Sequence, residues 1–246
     1  MTTLKNKVAI VTGSSKGIGA QIALSLAASG AKTVINYAND DAAANDIVSK
    51  IKSAGGEAIA VQADVSNTKQ VEAMFDATIS AFGKPDILVN SAGIMINKPI
   101  AETTDEDFDR IFAINVKGTF NTLREAATKL NDGGRVVNLS STTTRMLLPS
   151  YGTYCATKGA VDQLTRIFAK EVGARNITVN AVSPGPTDTE LFHQGKSDDT
   201  VERLASMSPF NRIGEPVDIA RVVAFLVSEE AAWVTGQNIG ANGGIA

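Results

Sequence analysis

The chain is almost without cysteine and histidine: its 246 residues hold one of each, Cys155 and His193. A single cysteine excludes an internal disulfide framework. With one histidine beside it, the common Cys/His metal sites are excluded too, and a Ser-His-Asp triad survives only if His193 serves in it. His193 lies in a polar stretch and is expected at the surface, while Cys155 reads as helix packing rather than as a nucleophile. No sign of charge dominates: 23 Lys and Arg stand against 26 Asp and Glu, a net charge of -3. Nothing in that balance recruits nucleic acid or an anionic membrane. No apolar stretch is as long as a membrane span, and Met1 to Lys7 carry no signal-peptide core, which points to the cytoplasm. Linkers, low-complexity tracts and internal repeats are also missing, so a single domain spanning 1–246 is expected. What remains is 43% hydrophobic material, long enough for a large core and suited to a small-molecule partner.

From Lys7 onward, short β-branched runs alternate with longer amphipathic stretches, the pattern of a parallel sheet covered by helices on both faces. The strand-like runs are Val8 to Val11, Thr33 to Asn36, Ala58 to Val61, Ile87 to Val89, Arg135 to Leu139, Thr178 to Val182 and Gln237 to Ala241. Between them, Ile18, Ile22 and Leu26 form the stripe of a first helix that stops at Gly30. Others are expected over 40–54, 68–82, 104–130, from Tyr154 to about Val172, and from Pro216 to Val227. Asp40 and Asp41 are placed at a helix start, where capping is their natural role. The stretch from Thr187 to Asn211 is long, polar and poorly periodic, and is expected to form a lid over a ligand site.

The first strand-to-helix junction reads Thr12-Gly13-Ser14-Ser15-Lys16-Gly17-Ile18-Gly19. Three glycines there let the chain turn sharply and bring backbone amides to a phosphate at a helix amino terminus. At the end of the second strand an NAD enzyme would present an acid to the ribose, yet the chain offers Asn36, Tyr37, Ala38 and Asn39. A carboxylate there would repel a 2′-phosphate, whereas Lys16 attracts one, so the charge pattern favours NADP(H) over NAD(H).

Tyr154 and Lys158 stand one helical turn apart and share a face. An ammonium beside a phenol stabilises the phenolate and draws its pKa down from about 10, which would let the tyrosine exchange protons near neutrality.

Taken in order, these segments resemble the short-chain dehydrogenase/reductases over essentially the whole chain. The resemblance rests on the 12–19 turn, Asp64-Val65, Asn90-Ser91-Ala92-Gly93, Asn115, Ser140-Ser141, Tyr154 with Lys158, and Pro184-Gly185. It implies a Rossmann-type, doubly wound α/β fold with a parallel seven-stranded sheet, and hydride transfer between a nicotinamide and a carbonyl or alcohol. It also implies that Tyr154 is the general acid, that Ser141 polarises the carbonyl, and that Lys158 lowers the tyrosine pKa and holds the nicotinamide ribose. Asn115 is implied to bend its helix and order a water joined to Lys158. Asp64 and Val65 would meet the adenine, Asn90, Ala92 and Gly93 the adenosine ribose and pyrophosphate, and Val182, Pro184, Gly185, Thr187 and Thr189 the nicotinamide side. Where many members carry a second asparagine, this chain has Ser91.

Members of this kind include 3-oxoacyl-carrier-protein reductases, naphthol reductases and broad ketone reductases. A carrier protein needs a basic docking surface, yet the 128–135 stretch offsets Lys129 with Asp132, which favours a free carbonyl compound as substrate. The pocket is expected to be lined by 142–151, 94–97 and the lid, with Met95, Ile96, Met146, Leu147, Leu148, Leu191 and Phe192 making it apolar. A homo-oligomer, tetramer or dimer, is expected through the apolar faces of 111–123 and 161–172. The rival from another class is a silent dinucleotide sensor.

Overall fold

Seven runs rich in valine and isoleucine become strands: β1 (Val8–Thr12), β2 (Lys32–Tyr37), β3 (Ala58–Gln62), β4 (Ile87–Asn90), β5 (Arg135–Leu139), β6 (Thr178–Pro184) and β7 (Asn238–Ala241). The structure is a computed structural model that describes residues 3–246. All strand pairs are parallel, in the order β3-β2-β1-β4-β5-β6-β7. The helices are α1 (Gly17–Ala28), α2 (Asp41–Ser53), α3 (Thr68–Phe82), α4 (Asp105–Phe112), α5 (Gly118–Lys129), α6 (Thr143–Met146), α7 (Gly152–Glu171), α8 (Glu190–His193), α9 (Asp198–Ser206) and α10 (Pro216–Leu226).

Alternate residues of each strand enter opposite layers. Ala9 and Val11 join Ile22, Leu26, Ile47 and Val223, from α1, α2 and α10, in one core. Ile10 joins Val71, Phe75, Leu123 and Phe168, from α3, α5 and α7, in the other. Both faces of the sheet are therefore buried, which is why its strands are apolar throughout rather than alternating. The chain winds outward from β1 to β3, then returns so that β4 lies on the other side of β1. That reversal opens a crevice at the carboxyl ends of β1 and β4, where Thr12 pairs with Asn90. Thr12 closes its floor by accepting hydrogen bonds from the Ser91 and Ala92 amides, each 3.1 Å, so this cross-strand tie does not need an asparagine at Ser91.

Three stretches differ from the periodicity reading. The helix expected over 104–130 is two helices joined by a π-helical turn, Ala113–Lys117, with Asn115 inside it. The aperiodic 187–211 segment contains α8 and α9, which start where the Thr189 and Ser197 side chains accept amide hydrogen bonds. α9 buries a single residue, Leu204, too few to give an apolar period. Finally, β7 begins at Asn238, one residue later than the pattern suggests. Asp40 does cap α2, accepting from the Ala43 amide at 3.0 Å.

Candidate active site

The glycine turn is built from both sides. Gly13 and Gly17 have φ of +60° and +59°, and a β-carbon on Gly13 would lie 2.7 Å from the Ala92 Cα. Ser14, fully buried, donates to the Val11 carbonyl at 2.6 Å and accepts from the Asn36 amide at 3.0 Å. The Asn36 side chain accepts from the Gly13 amide at 3.1 Å and donates to the Ala63 carbonyl at 3.0 Å. Asn36 is thus a brace for the turn, a role that no local sequence signal reveals because its partners lie 23 and 27 residues away.

At the first turn of α1 no side chain caps the helix and no acidic residue is present. By contrast, α2, α3, α4 and α9 are capped by Asp40, Asn67, Thr104 and Ser197. The open amides of α1, beside Gly13 and Gly19 where a β-carbon would strike backbone, fit a dinucleotide phosphate.

One cavity of about 900 Å³ runs from this turn to the substrate end. Of the residues expected at the site, Gly13, Ser15, Lys16, Gly17, Ile18 and Gly19 line it on the turn side, and Ala92 and Gly93 follow β4. Ser141, Tyr154 and Lys158 lie in its wall, with Pro184, Gly185, Thr187 and Thr189 opposite. Its apolar part includes Met95, Met146, Leu148, Leu191 and Phe192 as expected, and Tyr151 at the end of the expected 142–151 segment. Leu147 is a correction: it ends α6 in the left-handed region, φ 53°, and is 74% exposed outside the cavity. Ile96 also lies outside the lining.

Several other expected residues stand away from the cavity. Tyr37 donates to Asp41 at 2.6 Å, the Ala38 carbonyl accepts from Gln62 at 2.9 Å, and Asn39 is exposed. Asp64 accepts from the Ser66 amide and hydroxyl at 2.9 and 2.8 Å, and Val65 is buried. Asn90 donates to Asn138 at 2.8 Å and accepts from Thr122 at 2.7 Å, so its side chain ties β4 to β5 and α5 inside the protein. Val182 is a core residue of β6.

Asn115 reaches the site through what it holds. Its amide group accepts from the Ile94 amide and donates to the Ile94 carbonyl, both at 2.9 Å, and donates to Thr157 at 3.1 Å. Asn115 stands within the π-helical turn and clamps the Gly93–Met95 loop to α7. Thr157 sits one residue before Lys158, so the clamp also fixes the helix that carries both Tyr154 and Lys158.

The electrostatics of the pair depart from the sequence expectation. Desolvation pushes the Tyr154 pKa up to about 12, against a hydrogen bond from Ser141 that lowers it. Lys158 does not reverse this, because its Nζ lies over the ring, 5.7 Å from the centroid, and donates to the Leu139 carbonyl at 2.7 Å. Its own pKa is drawn down to about 8 by burial, with Asp162 opposing the shift. Ser141 accepts from Thr143 Oγ1 at 2.9 Å, which leaves the serine proton free for the phenol. Tyr154 is therefore a firmly protonated donor aimed into an apolar cavity.

Cys155 donates to the Thr143 carbonyl at 3.3 Å, a packing contact, and exposed His193 pairs with Asp188 at 2.7 Å. Lys16 lies 2.9 Å from Glu190.

Among known proteins, the family profile that matches residues 13–246 is described as Enoyl-(Acyl carrier protein) reductase. The chain is 48% identical to an "NADPH-dependent aldehyde reductase-like protein, chloroplastic" of Arabidopsis thaliana, over 98% of this chain and 94% of that protein. It is 42% identical to a probable tetrahydroxynaphthalene reductase of Zymoseptoria tritici, over 98% of this chain and 94% of that protein. The solved structure of angucycline C-6 ketoreductase LanV with bound NADP superposes with a TM-score of 0.94 at 39% identity, covering 99% of this chain and 97% of that one.

Proposed function

The chain belongs to the short-chain dehydrogenase/reductase family of NAD(P)-dependent oxidoreductases, and on that premise we propose that it reduces a ketone to a secondary alcohol with NADPH. The observation that carries this reading is that Tyr154, Ser141 and Lys158 line one cavity with the glycine turn, with burial holding the Tyr154 pKa up at about 12. The glycine turn and the open start of α1 would hold the dinucleotide phosphates, with Lys16 near the 2′-phosphate and Lys158 near the nicotinamide ribose. When bound, the nicotinamide supplies the hydride. Ser141 hydrogen-bonds the substrate carbonyl oxygen and stabilises the charge that grows there, and Tyr154 gives that oxygen its proton. Lys158, charged at neutral pH, favours the phenolate left behind. The apolar wall made by Met95, Met146, Leu148, Tyr151 and Phe192 excludes water and suits a ring-bearing ketone.

The preference for NADPH is supported by the absence of an acid at the end of β2 and by the NADP named with the LanV structure. A free carbonyl is favoured over a carrier-bound thioester because the basic residues near β5 are already paired. Lys129 holds Asp76 and Glu125 at 2.6 and 3.0 Å, Arg175 holds Asp132 at 2.7 Å, and Arg135 is buried. The test is NADPH oxidation with a cyclic diketone, an aryl ketone and a 3-oxoacyl thioester, repeated with NADH. Oxidation with either ketone, at a higher kcat/KM for NADPH than for NADH, is the expected result. Turnover of the thioester alone would return the substrate to the carrier-linked class, and no turnover of any would sink the reading.

The proposal includes a cytoplasmic homo-oligomer, tetramer or dimer. Among the described residues no helix is long and apolar enough to cross a membrane. The oligomeric contact needs restating, since Ile111, Leu123, Val161 and Val172 are buried in the monomer. The apolar groups that α4, α5 and α7 leave exposed are Phe108, Phe120 and Ile167. Sedimentation should show an assembly that Phe120→Asp weakens, and a monomeric wild-type chain would remove this part of the proposal. Fractionation of the source cells tests the location, with recovery in a membrane or organelle fraction counting against it.

A further inference from the structure

Lys16, the residue assigned above to the cofactor's 2′-phosphate, already has a partner. Its Nζ lies 2.9 Å from Glu190 Oε2, at the first position of α8 and 174 residues further along the chain. Both residues line the cavity, from the glycine turn on one side and the 187–211 segment on the other. Gly17 lies directly beneath that segment: a β-carbon there would sit 3.5 Å from the Thr189 methyl group. Of the charged side chains around α8, His193 bonds to Asp188 and Lys196 to the Phe192 carbonyl, both inside the segment, while further along Ser208 donates to the Gly243 carbonyl at 2.8 Å. Among the described residues, Lys16 to Glu190 is the ion pair that ties the segment to the glycine turn.

We propose that Glu190 is a cofactor-specificity residue: it holds Lys16 until a 2′-phosphate takes its place, so that NADPH, but not NADH, releases the bridge between the glycine turn and α8. The inference rests on the reading of Lys16 as the 2′-phosphate contact. Its physical basis is a competition of anions for one ammonium. A carboxylate carries a single charge, whereas a phosphate monoester carries between one and a half and two near neutral pH. The side chains in the bridge are 62% and 79% exposed, and ion pairs that solvated are weak enough to exchange. NADH brings no second anion to Lys16, so it must bind with the bridge in place. Glu190 therefore subtracts from NADPH affinity while keeping α8 on the turn when the site holds no 2′-phosphate.

The experiment is calorimetric binding of 2′,5′-ADP and 5′-AMP, which differ only in the 2′-phosphate, to wild type, Glu190→Gln, Lys16→Ala and the double variant. Glu190→Gln is expected to tighten 2′,5′-ADP about two- to fivefold, the scale of one exposed ion pair, and to leave 5′-AMP within about 1.5-fold. On the Lys16→Ala background the same substitution should do markedly less, because there is no ammonium to release. An equal effect on both backgrounds would make Glu190 a general repulsive charge and overturn the exchange. So would an equal effect on both ligands, or none. If Lys16→Ala leaves 2′,5′-ADP binding unchanged, the assignment of Lys16 to the 2′-phosphate fails first. If it weakens binding while Glu190→Gln is silent, only the exchange fails. Both positions are exposed, so unchanged thermal midpoints should accompany these shifts.

Discussion

Tyr154→Phe should reduce kcat for ketone reduction by about 10²- to 10⁴-fold, the range for loss of a positioned general acid, while NADPH still binds. The substitution removes one oxygen from a side chain whose ring remains packed beside Tyr151 and beneath the Lys158 ammonium. Ser141 keeps its bond from Thr143, so the pocket has no reason to collapse. What is lost is the proton. With desolvation holding the phenol at a pKa of about 12, wild-type Tyr154 stays protonated across the physiological range, and in the proposed reaction it gives up its proton only as charge builds on the substrate oxygen. The measurements are steady-state kcat and NADPH affinity by fluorescence. A Phe variant that keeps more than about a tenth of the wild-type rate would mean the proton comes from elsewhere. Loss of NADPH binding would instead make the tyrosine a cofactor ligand first.

Lys158→Met should also cost about 10²-fold or more in kcat, by removing the charge that favours the phenolate. Its pH dependence separates it from the tyrosine variant. Lys158 is 6% exposed and its pKa is drawn down to about 8, so wild-type kcat/KM should fall above that pH as Lys158 loses its proton. The Met variant should lack this limb.

Stability moves the other way. The folded pKa of about 8 lies below the ordinary 10.5, so between these values the unfolded chain binds more protons and wild-type stability rises with pH. Below about pH 8 the buried charge opposes folding in full, by on the order of 3 kcal/mol. Methionine removes that penalty but leaves the Leu139 carbonyl without its donor. Measured by denaturation at several pH values, the Met variant should therefore gain on wild type at pH 7 and lose that advantage as pH rises towards 10. A stability difference independent of pH would show that Lys158 is not charged and desolvated in the folded protein.

Much of this site was legible because its signals are short-range. A glycine turn must follow a strand and open a helix, and Tyr154 and Lys158 share a face through helical spacing alone. The sheet was legible for the same reason, since strands buried on both faces need continuous β-branched runs. The parts that were not legible depend on partners far away in sequence. Asn36 looked like an empty acid position and is the brace of the turn, through Gly13 and Ala63. Asn90 looked like a cofactor contact and bonds inward to Asn138 and Thr122. Leu147 looked like pocket lining until a left-handed helix end turned it to solvent.

By itself, then, the sequence determined the doubly wound sheet, and it nominated the glycine turn and Ser141, Tyr154 and Lys158 as a candidate site that the fold gathers around one cavity, because each follows from local periodicity or from the motifs of its family. The tertiary structure alone decided the charge states and the alliances. Spacing predicts that Lys158 lowers the tyrosine pKa, but burial raises it, since desolvation acts on the phenol from every side while the ammonium sits over the ring. Lys16 carries the charge a 2′-phosphate needs, and only the fold shows that Glu190 already holds it.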